Sequence, residues 1–523
     1  MLPPVRTRPV TPLLRLVRAF LAVVFLGTTA PSAVSADPRP FEAVRLPVPG
    51  RLVDVWTGSF TPHCEGGGLD VLGLTIEGVA PQERRKIILF PCGDDLRASP
   101  NPPREFPVDA DVIAVDAVGD ELLLLTPSGL GVVSLTDPSR RREINPAGGL
   151  PLVPRTRGFS RIPMAGPWGA GGAPAAILPT LEGALVVDLT GGETSRLALP
   201  MVAEYATQSP EFPDPSDPFL AARFAWPMLQ QGDDDGDGKP DLYAFNRWTM
   251  AVYRSGENGL PQKPSREVRL HPFEDNQELR PDQSRATYRA IDINRDGLTD
   301  LVFHRSWGSL MRGRADTRIY LNRGSGPQPD RPPDAQRELT DGFASIEFLD
   351  LDGQGWLEGV ETSIRFGLIQ AVRMLLTRSG KATLNVLTLD PDQEPHPFAS
   401  TWKKDIGFKI DFNETRIEGL YPILRTDWNS DGINDVLALD DEGSISIRLG
   451  EVERAGLRFG SPVALQSSAI RAGRSVQGDV DGDGLEDLLI YDPQAPSGVL
   501  WVYFNRGVLA GTPERLRVSP AGN

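Results

Sequence analysis

Asp479-Val-Asp481-Gly-Asp483-Gly-Leu485-Glu-Asp487 runs straight into Leu488-Leu-Ile-Tyr491, so nine residues of acid and glycine lead into an apolar run of strand-forming residues. Three more segments repeat the pattern at the same spacing. They are Asp233-Asp-Asp235-Gly-Asp237-Gly-Lys239-Pro-Asp241, Asp292-Ile-Asn294-Arg-Asp296-Gly-Leu298-Thr-Asp300 and Asp427-Trp-Asn429-Ser-Asp431-Gly-Ile433-Asn-Asp435. A fifth, Asp350-Leu-Asp352-Gly-Gln354-Gly-Trp-Leu-Glu358, is degraded at its fifth position. Each opens an apolar run such as Leu242-Tyr-Ala-Phe or Val436-Leu-Ala-Leu, followed by a turn and a second run such as Thr317-Arg-Ile-Tyr-Leu. Loop, strand, turn, strand, repeated, marks a repeat architecture.

The first half carries the same rhythm without the acids, at Gly67-Gly-Leu-Asp70, Gly119-Asp-Glu121 and Gly171-Gly-Ala-Pro-Ala175. Eight anchors from Asp70 to Asp487 span 417 residues, or roughly 60 per unit. Units of several short strands at this period predict an all-β fold, a β-propeller of seven or eight four-stranded blades, with calcium loops in its C-terminal half. Residues 37–523 are read as one propeller: 37–224 degenerate blades without acid loops, 225–523 blades with them. Abundant turn formers, Gly 53 and Pro 49, agree with many turns and few long helices. The longest interval, Glu358 to Asp435, is expected to hold a long surface loop from Asp390 to Phe398.

The loop chemistry points to a hard cation. Positions 1, 3, 5 and 9 present carboxylate or amide oxygens, and the backbone carbonyl of position 7 (Lys239, Leu298, Ile433, Leu485) adds another. Ca²⁺ takes six to eight such oxygens, whereas Mg²⁺ keeps several waters and strict octahedral geometry. Softer metals need His or Cys, which these loops lack. Glycine at position 6 permits a sharp reversal that a Cβ opposes. The four intact loops are therefore read as Ca²⁺ sites, and the degraded loop, where Gln354 still offers an oxygen, is left open as a fifth. An EF-hand would need a bidentate Glu at position 12 between helices. Position 12 here is Ala244, Phe303, Ala438 or Ile490, each inside an expected strand.

These loops and the hairpins after them resemble the FG-GAP/VCBS repeats of bacterial secreted proteins, which are similar to the calcium-binding blades of the integrin α-subunit propeller. The resemblance is strong from about residue 225 to 505. It implies that Ca²⁺ sits in a loop between adjacent strands of one blade and serves structure, with the loop positions above as ligands. Regularly spaced Phe-Gly and Gly-Ala-Pro signatures of the integrin version are not found.

The N-terminus reads as a removable leader. Arg6, Arg8, Arg15 and Arg18 precede the apolar run Ala19–Gly27 and the small residues up to Ala36, the parts of a signal peptide over 1–36. Its four Arg and no acids mean that cleavage takes the charge from −16 to −20. Export to periplasm, cell surface or medium is expected, with no membrane span in the mature chain. An even pair in an oxidising compartment, Cys64 and Cys92, is most simply a disulfide.

The acidic balance argues against nucleic-acid binding, which needs a basic footprint. Four His, no HExxH, no GxSxG and no GxxxxGK[ST] leave no catalytic constellation in view. One basic stretch stands out, Arg305, Arg312, Arg314, Arg318 and Arg323 with His304 and Trp307. It reads as a solvated hairpin face, or as a dock for an anionic glycan. The expected function is an exported, monomeric, non-catalytic binding, scaffold or adhesion module with an unidentified protein or glycan ligand. The alternative is a lyase-like polysaccharide enzyme on the same fold.

Overall fold

The computed structural model describes residues 40–511, except 62–66, 80–81, 94–95, 97–102, 147–149, 153–159, 207–220, 272–283, 309–311, 366–375, 391–396, 412–415, 419, 440–443, 454–455 and 468–472. The leader at 1–36 and Cys64 fall outside them, as does most of the expected Asp390–Phe398 loop.

Eight largely antiparallel sheets follow one another along the chain as the eight blades of a propeller. In chain order they occupy 51–108, 114–161, 165–197, 228–269, 284–340, 342–418, 420–467 and 474–505, the last completed by Phe41–Pro47. Of the two expected blade numbers, eight is the observed one. Each second strand begins at one of the eight anchors: Asp70, Glu121, Ala175, Asp241, Asp300, Glu358, Asp435 and Asp487.

Continuous apolar second strands have a simple cause. Side chains alternate between faces along a strand, and in a propeller both faces of a blade are covered. Leu242 and Ala244 pack toward blade 3 while Tyr243 and Phe245 pack toward blade 5. Leu488 and Ile490 likewise face blade 7, whereas Leu489 and Tyr491 face blade 1. The core is accordingly divided into eight clusters, one at each junction between neighbouring blades.

First strands of neighbouring blades touch, as Arg51–Gly58 does Arg474–Gly478 and Met228–Gly232 does Ser284–Ile291, which places them around the axis. The ring is closed by the N-terminal strand. Phe41–Pro47 pairs antiparallel with Val499–Asn505 over seven residues, from Phe41 opposite Asn505 to Pro47 opposite Val499. It is the outermost strand of blade 8, so chain ends 464 positions apart share one sheet.

Two blades carry a fifth strand. Ser160–Arg161 joins the first strand of blade 2 in parallel, and Arg416–Glu418 extends blade 6. Blade 6 also absorbs the long Glu358–Asp435 interval into strands, Ser379–Leu389 and Phe398–Asp411 being eleven and fourteen residues long.

Candidate metal centre

All five acid loops join the first strand of a blade to the second, in blades 4 to 8. Position 9 is the first residue of the second strand, and it is a clamp as well as a candidate ligand. One carboxylate oxygen accepts the N–H of loop position 2: Asp234 to Asp241, Ile293 to Asp300, Leu351 to Glu358, Trp428 to Asp435 and Val480 to Asp487, at 2.8–3.0 Å. In the four intact loops the other oxygen accepts an N–H from just after the third strand or its last residue: Ser255, Asn322, Gly450 and Asn505. The carboxylate thus ties loop, second strand and third strand together. Burial pushes these carboxyls up, Asp241 to about 6, Asp300, Glu358 and Asp435 to about 7 and Asp487 to about 9, and neighbouring loop acids add to the rise.

Position 1 is the hub of each turn. The N–H of the position-6 glycine donates to it in every intact loop: Gly238 to Asp233, Gly297 to Asp292, Gly432 to Asp427 and Gly484 to Asp479. These glycines have φ between 77° and 93°, the left-handed region that a Cβ disfavours. Position 4 is left-handed too, at Gly236, Arg295, Gly353, Ser430 and Gly482. The position-7 N–H donates to the position-5 carboxylate, at Lys239, Leu298, Ile433 and Leu485. In blade 8 the carboxylates of positions 1, 3 and 5 converge, in blades 4 and 6 those of positions 1, 3 and 9, and Asp237 of blade 4 pairs instead with Lys239.

Carboxylate oxygens of Asp233, Asp235 and Asp241 lie within 4.8 Å of one another, as do those of Asp350, Asp352 and Glu358 and those of Asp479, Asp481 and Asp483. Where position 3 is Asn, an amide oxygen replaces a carboxylate. Asn429 is 1% exposed, and among the described residues its Oδ1 has no hydrogen-bond partner, although its Nδ2 bonds Asp431 and the carbonyl of Ala510. A buried amide oxygen without a donor costs about 1–3 kcal/mol unless something else meets it. The set is all oxygen and fits a hard cation. The hydrogen bonds already made leave a lone pair on each carboxylate oxygen.

The loops are also chained to one another around the ring. The N–H before the anchor of one blade donates to the preceding loop's backbone: Thr299 to Asp233, Leu357 to Ile293, Asn434 to Leu351 and Leu69 to Asp479. Side-chain amides reinforce the chain, Asn434 Nδ2 reaching the carbonyl of Asp350 and Asn505 Nδ2 that of Trp428. Arg295, at position 4 of one loop, pairs with Asp350, at position 1 of the next. Whatever orders a loop therefore orders a junction between blades.

Blade 4 departs from the pattern at position 2, which is apolar in the other loops (Ile293, Leu351, Trp428, Val480) but Asp234 here. Asp234 is fully buried and bonded by Arg254, Arg266 and the hydroxyl of Tyr243. Burial would raise its pKa, but the two guanidinium groups outweigh that and hold it low. Asp234→Ala leaves Arg266 with the Pro327 carbonyl and Arg254 with the longer contact to Asp235, and losing the buried carboxylate between them costs about 3 kcal/mol. Urea titration should show this loss in Ca²⁺ and in chelator alike; a change within about 0.5 kcal/mol would count against a structural role.

Of the acid-free units, blade 1 keeps part of the scheme. In blade 1, Asp70 accepts the N–H groups of Phe60, Thr61 and Cys92, reproducing the clamp without the loop acids. The basic stretch of blade 5 is largely neutralised by ion pairs. Arg305 and Arg318 both meet the buried Asp316, Arg323 meets Asp334, and Arg305 stacks over Trp307 with its guanidinium carbon 4.6 Å from the ring centre. His304 is held between Thr317 Oγ1 and the carbonyl of Ala344 at 2.9 and 2.8 Å, and burial lowers its pKa.

Neither a protein-family model nor a curated protein sequence matches the chain. Among solved structures, it is similar to an Agrocybe aegerita lectin that recognises non-reducing terminal N-acetylglucosamine, with 14% identity over 86% of this chain and 99% of that one and a TM-score of 0.37. It is also similar to Chaetomium thermophilum Sqt1 bound to the N-terminus of ribosomal protein L10, with 11% identity over 87% and 97% and a TM-score of 0.41.

Proposed function

We propose that this chain is an exported, calcium-stabilised β-propeller of the FG-GAP/VCBS type that acts as a non-catalytic binding or scaffold module. The observation that carries the calcium reading is the buried, partnerless Oδ1 of Asn429, at the loop position where Asp235, Asp352 and Asp481 present a carboxylate oxygen to neighbouring acids. Ca²⁺ would be held by positions 1, 3, 5 and 9 and the position-7 carbonyl, four times over, with the Gln354 loop as a fifth site. It would supply cohesion, drawing acids that otherwise repel into one cluster and so linking metal binding to folding.

Because the loops bond blade to blade, such ions would stiffen a scaffold whose exposed faces are free to carry a ligand. Ligand identity is a property of those faces and not of the fold. The leader at 1–36, export to periplasm, surface or medium, a monomeric state and a Cys64–Cys92 bridge belong to the same proposal. Of the five guanidiniums behind the enzymatic alternative, Arg305, Arg318 and Arg323 are paired with Asp316 and Asp334. Among the described residues, no helix is long and apolar enough to cross a membrane.

A thermal melt with and without Ca²⁺ tests the reading. At free Ca²⁺ about a hundredfold above Kd, each site adds about 2.7 kcal/mol. Four sites together should raise Tm by roughly 10 °C over excess chelator, with Mg²⁺ much weaker. Equal melting temperatures in Ca²⁺ and chelator would remove the calcium assignment.

A further inference from the structure

Among the described residues, the junction between blades 5 and 6 has the smallest core. Its cluster holds seven buried residues, against eight between blades 6 and 7 and fifteen between blades 1 and 2. Beside that thin core a cavity of about 790 Å³ follows the axial strands, from Ile291 and Leu349 near the metal loops to Gly308 and Phe343 at the opposite end. That volume lies within the usual range for small-ligand sites.

Its charge is opposite to that of the chain. Arg285, Thr287 and Arg289 alternate along the first strand of blade 5, exposed into the cavity, while Ala286, Tyr288 and Ala290 pack toward blade 4. Among the described residues, neither Arg285 nor Arg289 has a carboxylate in ion-pair reach. Arg425 joins from blade 7 and pairs with Glu347. An unsatisfied guanidinium is a planar fork matched to a carboxylate. Four residues along a strand separate the two forks by about 13 Å. That spacing suits carboxylates repeated along a linear molecule better than one compact phosphate.

The walls also select against a peptide. Extended peptides bind by adding a strand to a free sheet edge. On blade 5 that edge is sealed by Gln230, whose amide donates to the carbonyl of Tyr288 and accepts the N–H of Ala290, both at 2.8 Å. On blade 6 the carbonyl of Ala344 is taken by His304 Nε2 and Ser306 Oγ. What remains for recognition is side chains: two free forks and the hydroxyls of Thr287 and Ser345.

We propose that this cavity binds a linear, carboxylate-bearing oligosaccharide of a few sugar units through Arg285 and Arg289. The inference rests on the reading of the propeller as a binding module and names the ligand class and the site. It is tested by calorimetric titration of the full mature chain in Ca²⁺ with trigalacturonate, with maltotriose as the neutral counterpart and with an Asp/Glu-rich hexapeptide. Trigalacturonate should bind and weaken as salt rises, and maltotriose should bind at least tenfold more weakly. The double variant Arg285→Gln/Arg289→Gln should lose at least tenfold in affinity while melting as the parent does, since both side chains are exposed. Equal binding by that variant, no binding of trigalacturonate, or tighter binding of the hexapeptide would each overturn the assignment. Ultraviolet absorbance of an unsaturated uronate during the incubation would overturn the non-catalytic reading and leave the site standing. Absent binding with an intact Ca²⁺-dependent melt would remove the site alone.

Discussion

A chain lacking Phe41–Pro47 is expected to lose its single cooperative melt and to expand in solution. The strand supplies the outer edge of blade 8, and Leu46 within it is fully buried in the cluster shared by blades 8 and 1. Phe41, 4% exposed, sits edge-on to the fully buried Trp428 at a ring separation of 5.7 Å, in the cluster shared with blade 7. One short segment therefore helps to close two junctions. Emptying a Leu or Phe site costs about 2–5 kcal/mol. Losing both, with the strand hydrogen bonds, approaches the whole stability of a typical domain. The milder substitution Leu46→Asp places a charge in the same apolar cluster and should unfold the ring as well. Calorimetry and small-angle scattering read the result. A deletion variant that keeps the parent radius and melts within about 3 °C of it would show that the ring does not depend on this closure.

The second large effect separates clamp from ligand within one loop. Asp435→Ala removes the acceptor of the Trp428 N–H at 2.8 Å and of the Gly450 N–H at 2.7 Å, both buried bonds. Each orphaned donor costs about 1–3 kcal/mol, so roughly 2–6 kcal/mol should be lost with Ca²⁺ or with chelator. Asp431→Ala removes an exposed carboxylate whose contacts are to the Ile433 N–H and to the buried Asn429 amide, which keeps its bond to the Ala510 carbonyl. Its cost should be small in chelator and appear chiefly in Ca²⁺. Denaturant titration of both variants under both conditions measures the contrast. Identical behaviour of the two would mean that position 9 is only one more ligand and that the clamp carries no stability of its own.

How much was legible beforehand follows from the range of each interaction. The acid loops, the anchors and the second strands could be read from spacing because their chemistry is local. Gly238, Gly297, Gly432 and Gly484 each bond an Asp five positions back, and alternating residues such as Leu242 and Tyr243 reflect the pleat of a single strand. Reading Asp487 or Asp300 only as a ligand missed the clamp, because the third-strand N–H it holds lies 18 or 22 residues away. The Arg stretch of blade 5 reads as a solvated face or a glycan dock because residue types alone do not show that Asp316 is buried between Arg305 and Arg318 on adjacent strands. Meanwhile Arg285 and Arg289, unremarkable in sequence, line a cavity.

Local chemistry sets the repeating unit: a turn that places oxygens at fixed positions, a strand apolar on both faces, and a period near 60 residues. Glycine φ preference, carboxylate geometry and strand pleat act within a few residues and leave their pattern in the chain. Long-range packing sets the count of eight, the closure of blade 8 by Phe41–Pro47, the burial of Asp234 with Arg254 and Arg266, and the small core between blades 5 and 6. Those depend on how curved sheets pack around a ring, where residues hundreds of positions apart meet and where each junction is filled or left open by side chains from two blades at once.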